Sequence, residues 1–282
     1  MKKGIVTKIL QRIEELYVKG GLPVGNLSMM ALKPTWYVVI GNDEQCGVAM
    51  NFTSFHDEHD LDLNKLRSFV GKNLIDVAHS LMEMPGYKAS ALTVAAISAL
   101  SRPLMKPELL AKRGLKTEDN DISQSVKSDD IVAMVGYAGI VGRIVGKCRE
   151  FHVTEMRPRT DLQTTIIDKE IHLSSRGVEI HTQAENKEVL GKADLVFITA
   201  STLVNGTIDE LLTYPVRARS VTVYGPTGTI IPDVLLENGV HRLTGISILD
   251  AEKYKYNALN DLNLPGQDKT FDGQKFTATV RI

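Results

Sequence analysis

The stretch "DDIVAMVGYAGIVGRIVGKC", residues 129–148, decides how the chain is read. Five apolar residues, Ile131 to Val135, run into glycines at 136, 139, 142 and 146. A short unbroken apolar run closed by glycine is the pattern of a strand buried on both faces of a parallel sheet. The spacing after it predicts a helix over 139–149, one that also takes in Cys148. Between them lies Gly136-Tyr137-Ala138-Gly139-Ile140-Val141-Gly142, a GxxGxxG loop. The dinucleotide fingerprint is GxGxxG, whose second glycine lets backbone approach a pyrophosphate. Here Tyr137 and Ala138 stand between the first two glycines, which weakens a dinucleotide reading, although helix N-terminal amides can still meet an anion. Gly142 and Gly146, about one helical turn apart, read as close packing of that helix on the sheet.

Downstream, strand and helix patterns alternate, the signature of a parallel sheet with crossover helices. Strand runs fall at 151–156, 194–200, 220–225 and 240–248, with helices near 184–190, from Thr207, and over 232–239. "KFTATVRI" (275–282) alternates as an edge strand does. Upstream the order differs. Ile5, Ile9, Ile13 and Leu16 lie at helical spacing ahead of Gly20-Gly21. Strand runs at 26–32, 35–41 and 46–52 follow, the last two joined by a turn-rich "NDEQ" hairpin loop. Helices are expected over 74–84 and 90–101, the second apolar nearly all round and therefore buried. The polar stretch 116–130 reads as a linker. The expected fold class is α/β: an N-terminal α+β domain over 1–118, then a mostly parallel α/β domain over 119–282.

Composition narrows the function classes. The chain has 282 residues, 33 basic against 34 acidic, for a net charge of −1. That balance gives no bulk electrostatic case for nucleic acid or an anionic membrane. Charges at Lys8, Arg12, Glu14 and Glu15 break what a secretory signal would need, and no run reaches the roughly 18 apolar residues of a membrane span. Cys46 and Cys148 form no metal-ligand spacing and read as free thiols in a cytoplasmic protein. A homo-oligomer stays open.

In an open α/β sheet, ligands bind outside the carboxyl ends of the strands. Four loops there are rich in glycine, hydroxyl or charge. The first carries Gly136, Tyr137 and Gly139. The second, Glu155-Met156-Arg157-Pro158-Arg159, puts an acid 19 residues after Gly136, about where it would meet a ribose diol, followed by cations. The third delivers Thr199, Ser201, Thr202, Asn205 and Gly206, then Thr207-Ile208-Asp209-Glu210, which reads as a capping box with Glu210 reaching back to the cap. The fourth holds Gly225, Pro226, Thr227, Gly228 and Thr229. Three hydroxyls and an amide at a helix entrance suit a neutral or anionic ligand better than a metal.

At "ITASTLVNGTIDELL", "VYGPTGTIIPDVLLENGV" and "LTGISILDAEK" the chain resembles a family named for heavy-metal chelation whose function is unassigned. The Gly136-Tyr137 turn and Glu155-Met156-Arg157-Pro158 sit where that pattern has a turn and an E-x-x-P. "LTVAAISAL" resembles that family's buried helix, with Ser98 where asparagine is more usual. The resemblance implies an N-terminal domain similar to the capping domain of enolases, then a Rossmann-like domain, with a ligand site between them. It also implies handling of chelator-like or pterin-like molecules.

No P-loop, GxSxG elbow or HExxH is present. His56 and His59, in "HDEHD", are the metal candidates, although their surroundings read as a solvated loop. His79, His152, His172, His181 and His241 read as isolated. Three functions follow from these residues and the resemblance together, the compound class and reaction type of the first being what the resemblance implies. The first is an enzyme of chelator or pterin metabolism performing condensation or hydrolysis, with Glu155 orienting or deprotonating the ligand. The second is a non-catalytic binder of a metal–chelator complex. The third is an enzyme using NAD(P) or S-adenosylmethionine. No cofactor is specified by the motifs.

Overall fold

The computed structural model describes residues 4–41, 45–52, 59–119, 121–158, 177–248 and 274–282, with 252, 253, 256, 257 and 260. Helix α1 (Ile5–Gly20) buries Ile5, Ile9, Leu10, Ile13 and Tyr17 on one face, and Gly21 ends it in the left-handed region at φ 57°. Strands β1 (Leu27–Leu32), β2 (Trp36–Gly41) and β3 (Cys46–Met50) form an antiparallel sheet in that order. Helices α2 (Leu63–Arg67), α3 (Leu74–Met82), α4 (Tyr87–Ser101) and α5 (Pro107–Ala111) follow. Every residue of α4 from Ala91 to Ser101 is buried, as its all-round apolar sequence requires.

The second sheet begins with β4 (Leu115–Asp119) and β5 (Ile131–Val135). Then come α6 (Val141–Ile144), β6 (Glu150–Glu155), β7 (Glu179–Thr182), α7 (Asn186–Lys192), β8 (Leu195–Thr199) and α8 (Ile208–Leu211). Strand β9 (Ser220–Tyr224), α9 (Asp233–Glu237), β10 (Arg242–Ile248) and β11 (Gln274–Arg281) complete it. Its order is β4-β11-β10-β9-β8-β5-β6-β7. Strands β5 to β10 run parallel, and β11 and β4 are antiparallel additions at one edge. Taken in chain order, the six parallel strands follow the doubly wound 3-2-1-4-5-6 pattern, with β5 and β8 at the reversal. A crevice outside the carboxyl ends of these two strands is the geometric result.

Several expectations need correction. The stretch 116–130 is not a plain linker, because Leu115–Asp119 pairs with β11 and caps the sheet edge. Its polar residues are what an outermost strand tolerates, with one face and one edge toward water. The tail strand is accordingly internal, between β10 and β4. The helix expected over 139–149 is a single turn, Val141–Ile144, and Cys148 lies beyond it. Gly146, at φ 76°, turns the chain out of the helix instead of packing it, and a Cβ at Gly142 would meet nothing within 4 Å.

The two sheets share a core. Val38, Ile40, Cys46 and Val48 of the small sheet pack with Ile246 of β10. Arg12 of α1 forks onto Glu237 of α9, with Nη1–Oε1 2.8 Å and Nη2–Oε2 3.2 Å. Met50 N–H donates to Thr227 Oγ1 at 3.1 Å, which ties the end of β3 to the loop after β9. Cys46 is fully buried, and burial pushes its thiol up to about 12, so it is chemically quiet. Both cysteines are free.

Candidate functional site

A cavity of about 260 Å³ opens where the end of β3 faces the carboxyl ends of the parallel strands. Met50, Asn51 and Phe52 form one wall. Gly136 and Tyr137 after β5, Glu155 and Arg157 at the end of β6, and Thr199, Ser201, Thr202 and Asn205 after β8 form the other. Tyr224 of β9 closes the floor, its hydroxyl near the carbonyl oxygens of Val135 at 3.1 Å and Gly136 at 2.8 Å. Burial drives that phenol far above its ordinary value, so it stays a neutral donor. Gly136 is forced by this floor: it sits at φ 87°, and a Cβ there would come within 3.0 Å of the Thr199 methyl.

Glu155 is nearly buried and organises the rim. Its Oε1 accepts from the amides of Met156 at 2.8 Å and Arg157 at 3.0 Å. Its Oε2 accepts from the Tyr137 amide at 2.8 Å and from Arg157 Nη2 at 2.9 Å. A carboxylate has about four acceptor positions, and all are taken. Burial alone would raise its pKa, but Arg157 and the amides of Arg157 and Tyr137 outweigh it and hold the group below its ordinary value. Such a carboxylate holds the loop together and makes a weak proton acceptor. Arg157 Nη2 also donates to the Tyr137 carbonyl at 2.9 Å, which locks the first two loops together.

The hydroxyl loop divides its work. Thr199 and Thr202 mostly satisfy their own turn, with Thr202 Oγ1 donating to the Thr199 carbonyl at 2.6 Å. Ser201 Oγ points to the Met50 sulfur at 3.2 Å, a weak acceptor that a ligand oxygen would outcompete. The expected capping box does not form. Thr207 makes no side-chain cap, and Asn205 Oδ1 instead accepts from the Thr207 amide at 3.1 Å and hydroxyl at 2.7 Å. Glu210 turns away to the Tyr214 hydroxyl. Asn205→Ala is therefore expected to lower unfolding stability in urea by about 1 kcal/mol, and Glu210→Ala by less than about 0.5.

The structure does not gather every expected residue. Gly139, Gly225, Pro226 and Thr227 do not line the cavity, and Gly206 faces a second, more open hollow of about 520 Å³ beside α1 and α4. Thr227 is the buried tie to Met50 described above. His59 borders that second hollow in an exposed loop, whereas His56 and His172 lie outside the described residues. The histidines are less isolated than they read. His79 meets Glu14, and His241 Nδ1 accepts from the Val221 amide at 3.1 Å. His152 and His181 come together with Glu179, with their ligand atoms all within 4.8 Å of one another. Nothing along the sequence shows that grouping, because it depends on which strands pair and in what register.

A family model described as "Putative heavy-metal chelation" matches residues 119–260, just over half of the chain. The chain belongs to this family. An uncharacterized protein of Methanocaldococcus jannaschii is 25% identical over 261 residues, spanning 88% of this chain and 87% of that one. Two crystal structures of family proteins of unknown function are also similar. The one from Pyrococcus horikoshii has TM-score 0.72 at 19% identity, over 99% of this chain and 100% of that chain. The one from Desulfitobacterium hafniense has TM-score 0.68 at 19% identity, over 96% and 99%. They establish a shared fold across the whole length, including the antiparallel sheet upstream of the family match. Among the described residues, no helix is long and apolar enough to cross a membrane.

Proposed function

We propose that this cleft binds a small polar molecule carrying hydrogen-bond donors and an anionic group, in the making or processing of a metal-chelating or pterin-like compound. One observation carries the reading. Asn51 Oδ1, Thr154 Oγ1 and Asn186 Oδ1 are buried without a hydrogen-bond partner among the described residues, and all three residues line the cleft. Buried polar atoms are nearly always paired. Three exceptions around one cavity support a ligand whose N–H and O–H groups complete them. Arg157 at the rim is the cation for the anionic end, and Ser201 supplies an exchangeable hydroxyl. The reading keeps a division into residues 1–118, similar to an enolase capping domain, and 119–282, Rossmann-like, with the site between them.

A second reading, a non-catalytic binder of a metal–chelator complex, is favoured by the saturation of Glu155, which leaves no evident base in the cleft among the described residues. The nucleotide reading is weaker, since the turn after Gly136 leads into one turn of helix and offers little dipole for a pyrophosphate. A thermal-shift panel of pterins, metal–chelates, NAD⁺, NADP⁺ and S-adenosylmethionine separates the three. A pterin or chelate is expected to raise the melting temperature, and Arg157→Ala to weaken its binding about tenfold or more. A shift with NAD⁺ alone, or equal binding by Arg157→Ala, would reverse the assignment.

A further inference from the structure

Away from the cleft loops, β6 and β7 build a second constellation. Parallel pairing sets His152 opposite Glu179 and Thr154 opposite His181. Side chains alternate along a strand, so Glu179 and His181 share one face, and the His152 ring on the neighbouring strand reaches both. His152 Nδ1 is 3.1 Å from His181 Nε2 and 3.2 Å from Glu179 Oε2, and the remaining edge, His181 Nε2 to Glu179 Oε2, is 3.8 Å. Bonds of about 2.0–2.1 Å around a tetrahedral ion place neighbouring donors about 3.3 Å apart. The observed triangle brackets that length.

The outer nitrogens explain why these three atoms converge. His152 Nε2 lies 3.3 Å from Glu150 Oε2, and His181 Nδ1 lies 3.0 Å from Glu185 Oε1. Glu185 is itself fixed by the amide and hydroxyl of Thr182, at 2.8 and 2.9 Å. A neutral imidazole carries one N–H. If each ring donates it to its outer carboxylate, His152 Nδ1 and His181 Nε2 face each other with lone pairs, and a carboxylate oxygen joins them. In that tautomer three acceptors meet at one point, an arrangement that a cation between them satisfies. Outer carboxylates orienting ligand imidazoles are the usual support of a metal site.

We infer that His152 Nδ1, His181 Nε2 and Glu179 Oε2 form a binding site for a divalent transition-metal ion of the zinc class, with a fourth position open to water or another donor. The set has two borderline nitrogens and one oxygen and no thiolate, which favours Zn²⁺, Co²⁺ or Ni²⁺ over Mg²⁺ or Ca²⁺. The site is distinct from the cleft proposed above, and neither reading depends on the other.

The test uses the full-length chain, freed of metal with a chelator and titrated calorimetrically with ZnCl₂. One equivalent is expected to bind, while MgCl₂ gives no heat. His152→Ala and His181→Ala are expected to weaken Zn²⁺ binding at least about 100-fold, and Glu185→Gln, which touches no metal, about 10–100-fold. Because His152 is buried and its variant could fail to fold, Glu179→Gln provides the same test at an exposed position, with circular dichroism confirming the fold. Co²⁺ in place of Zn²⁺ is expected to give the intense visible absorption of a four-coordinate ion in the wild type and lose it in Glu179→Gln. A chain that takes up no Zn²⁺, or one whose equivalent persists in both Glu179→Gln and His181→Ala, would overturn the assignment.

Discussion

Gly47→Ala is expected to cost more than about 3 kcal/mol and to leave little folded protein at physiological temperature. Gly47 lies in β3 with the backbone of α4 directly against it. A Cβ there would stand 2.2 Å from the Ala95 carbonyl oxygen, 2.2 Å from the Ala99 nitrogen and 2.8 Å from the Ser98 carbonyl carbon. Those atoms belong to a helix backbone and cannot rotate aside as a side chain would. Relief requires β3 and α4 to separate by about an ångström, and at the contact both are buried in a close-packed interior, β3 over residues 46–49 and α4 over 91–101. The move would also stretch the bond from the Val48 amide to Ser98 Oγ, already 3.3 Å long. Gly139→Ala is the control. Nothing lies within 4 Å of its Cβ and its φ is not in the left-handed region, so the change should stay within about 0.5 kcal/mol. Urea midpoints of the two variants against wild type decide the matter, and a Gly47→Ala protein as stable as Gly139→Ala would show the contact to be wrong.

That contact also marks how far the sequence could be read. The small apolar run at 90–101 revealed a helix buried all round, because Ala, Ser and Thr leave no polar face. It could not reveal that the helix lies on a glycine 50 residues earlier. Most of the parallel strands were legible for the same kind of reason: residues 131–135 and 195–198 are apolar without alternation, as a strand covered on both faces must be, whereas the short, half-exposed β7 was not among the expected strands. Strand β4 was hidden because Lys116, Thr117 and Glu118 carry no apolar period, and only β11 beside them makes a strand of them. The four loops at the strand ends were recognisable from composition. What each residue does there was not, since Thr227, Asn205 and Glu155 are polar for structural bonds as much as for a ligand. The histidine pair was wholly invisible, because His152 and His181 are 29 positions apart and meet only through the register of β6 on β7.

Glu155→Gln carries the second large effect and tests what the rim is for. A carboxamide keeps one acceptor oxygen and replaces the other with an NH₂ group. Turned one way, that group confronts the amides of Met156 and Arg157; turned the other, it confronts the Tyr137 amide and Arg157 Nη2. Either orientation loses two bonds and leaves Arg157 without its counterion, for an expected cost of about 3 kcal/mol at neutral pH. The sign of the pH dependence follows from the depressed pKa. The wild-type carboxylate stabilises the fold fully above its ordinary value of 4.5, and that contribution falls away as pH drops through the lower folded value. The stability gap between wild type and Glu155→Gln should therefore be constant above about pH 5 and shrink steadily below 4.5. Urea unfolding of both proteins from pH 7 down to acid measures it. A gap that stays level throughout would mean the carboxylate is not held ionised by these bonds. Ligand binding should fall with the loop in the same variant, since this one side chain holds both the Tyr137 amide and the Arg157 guanidinium.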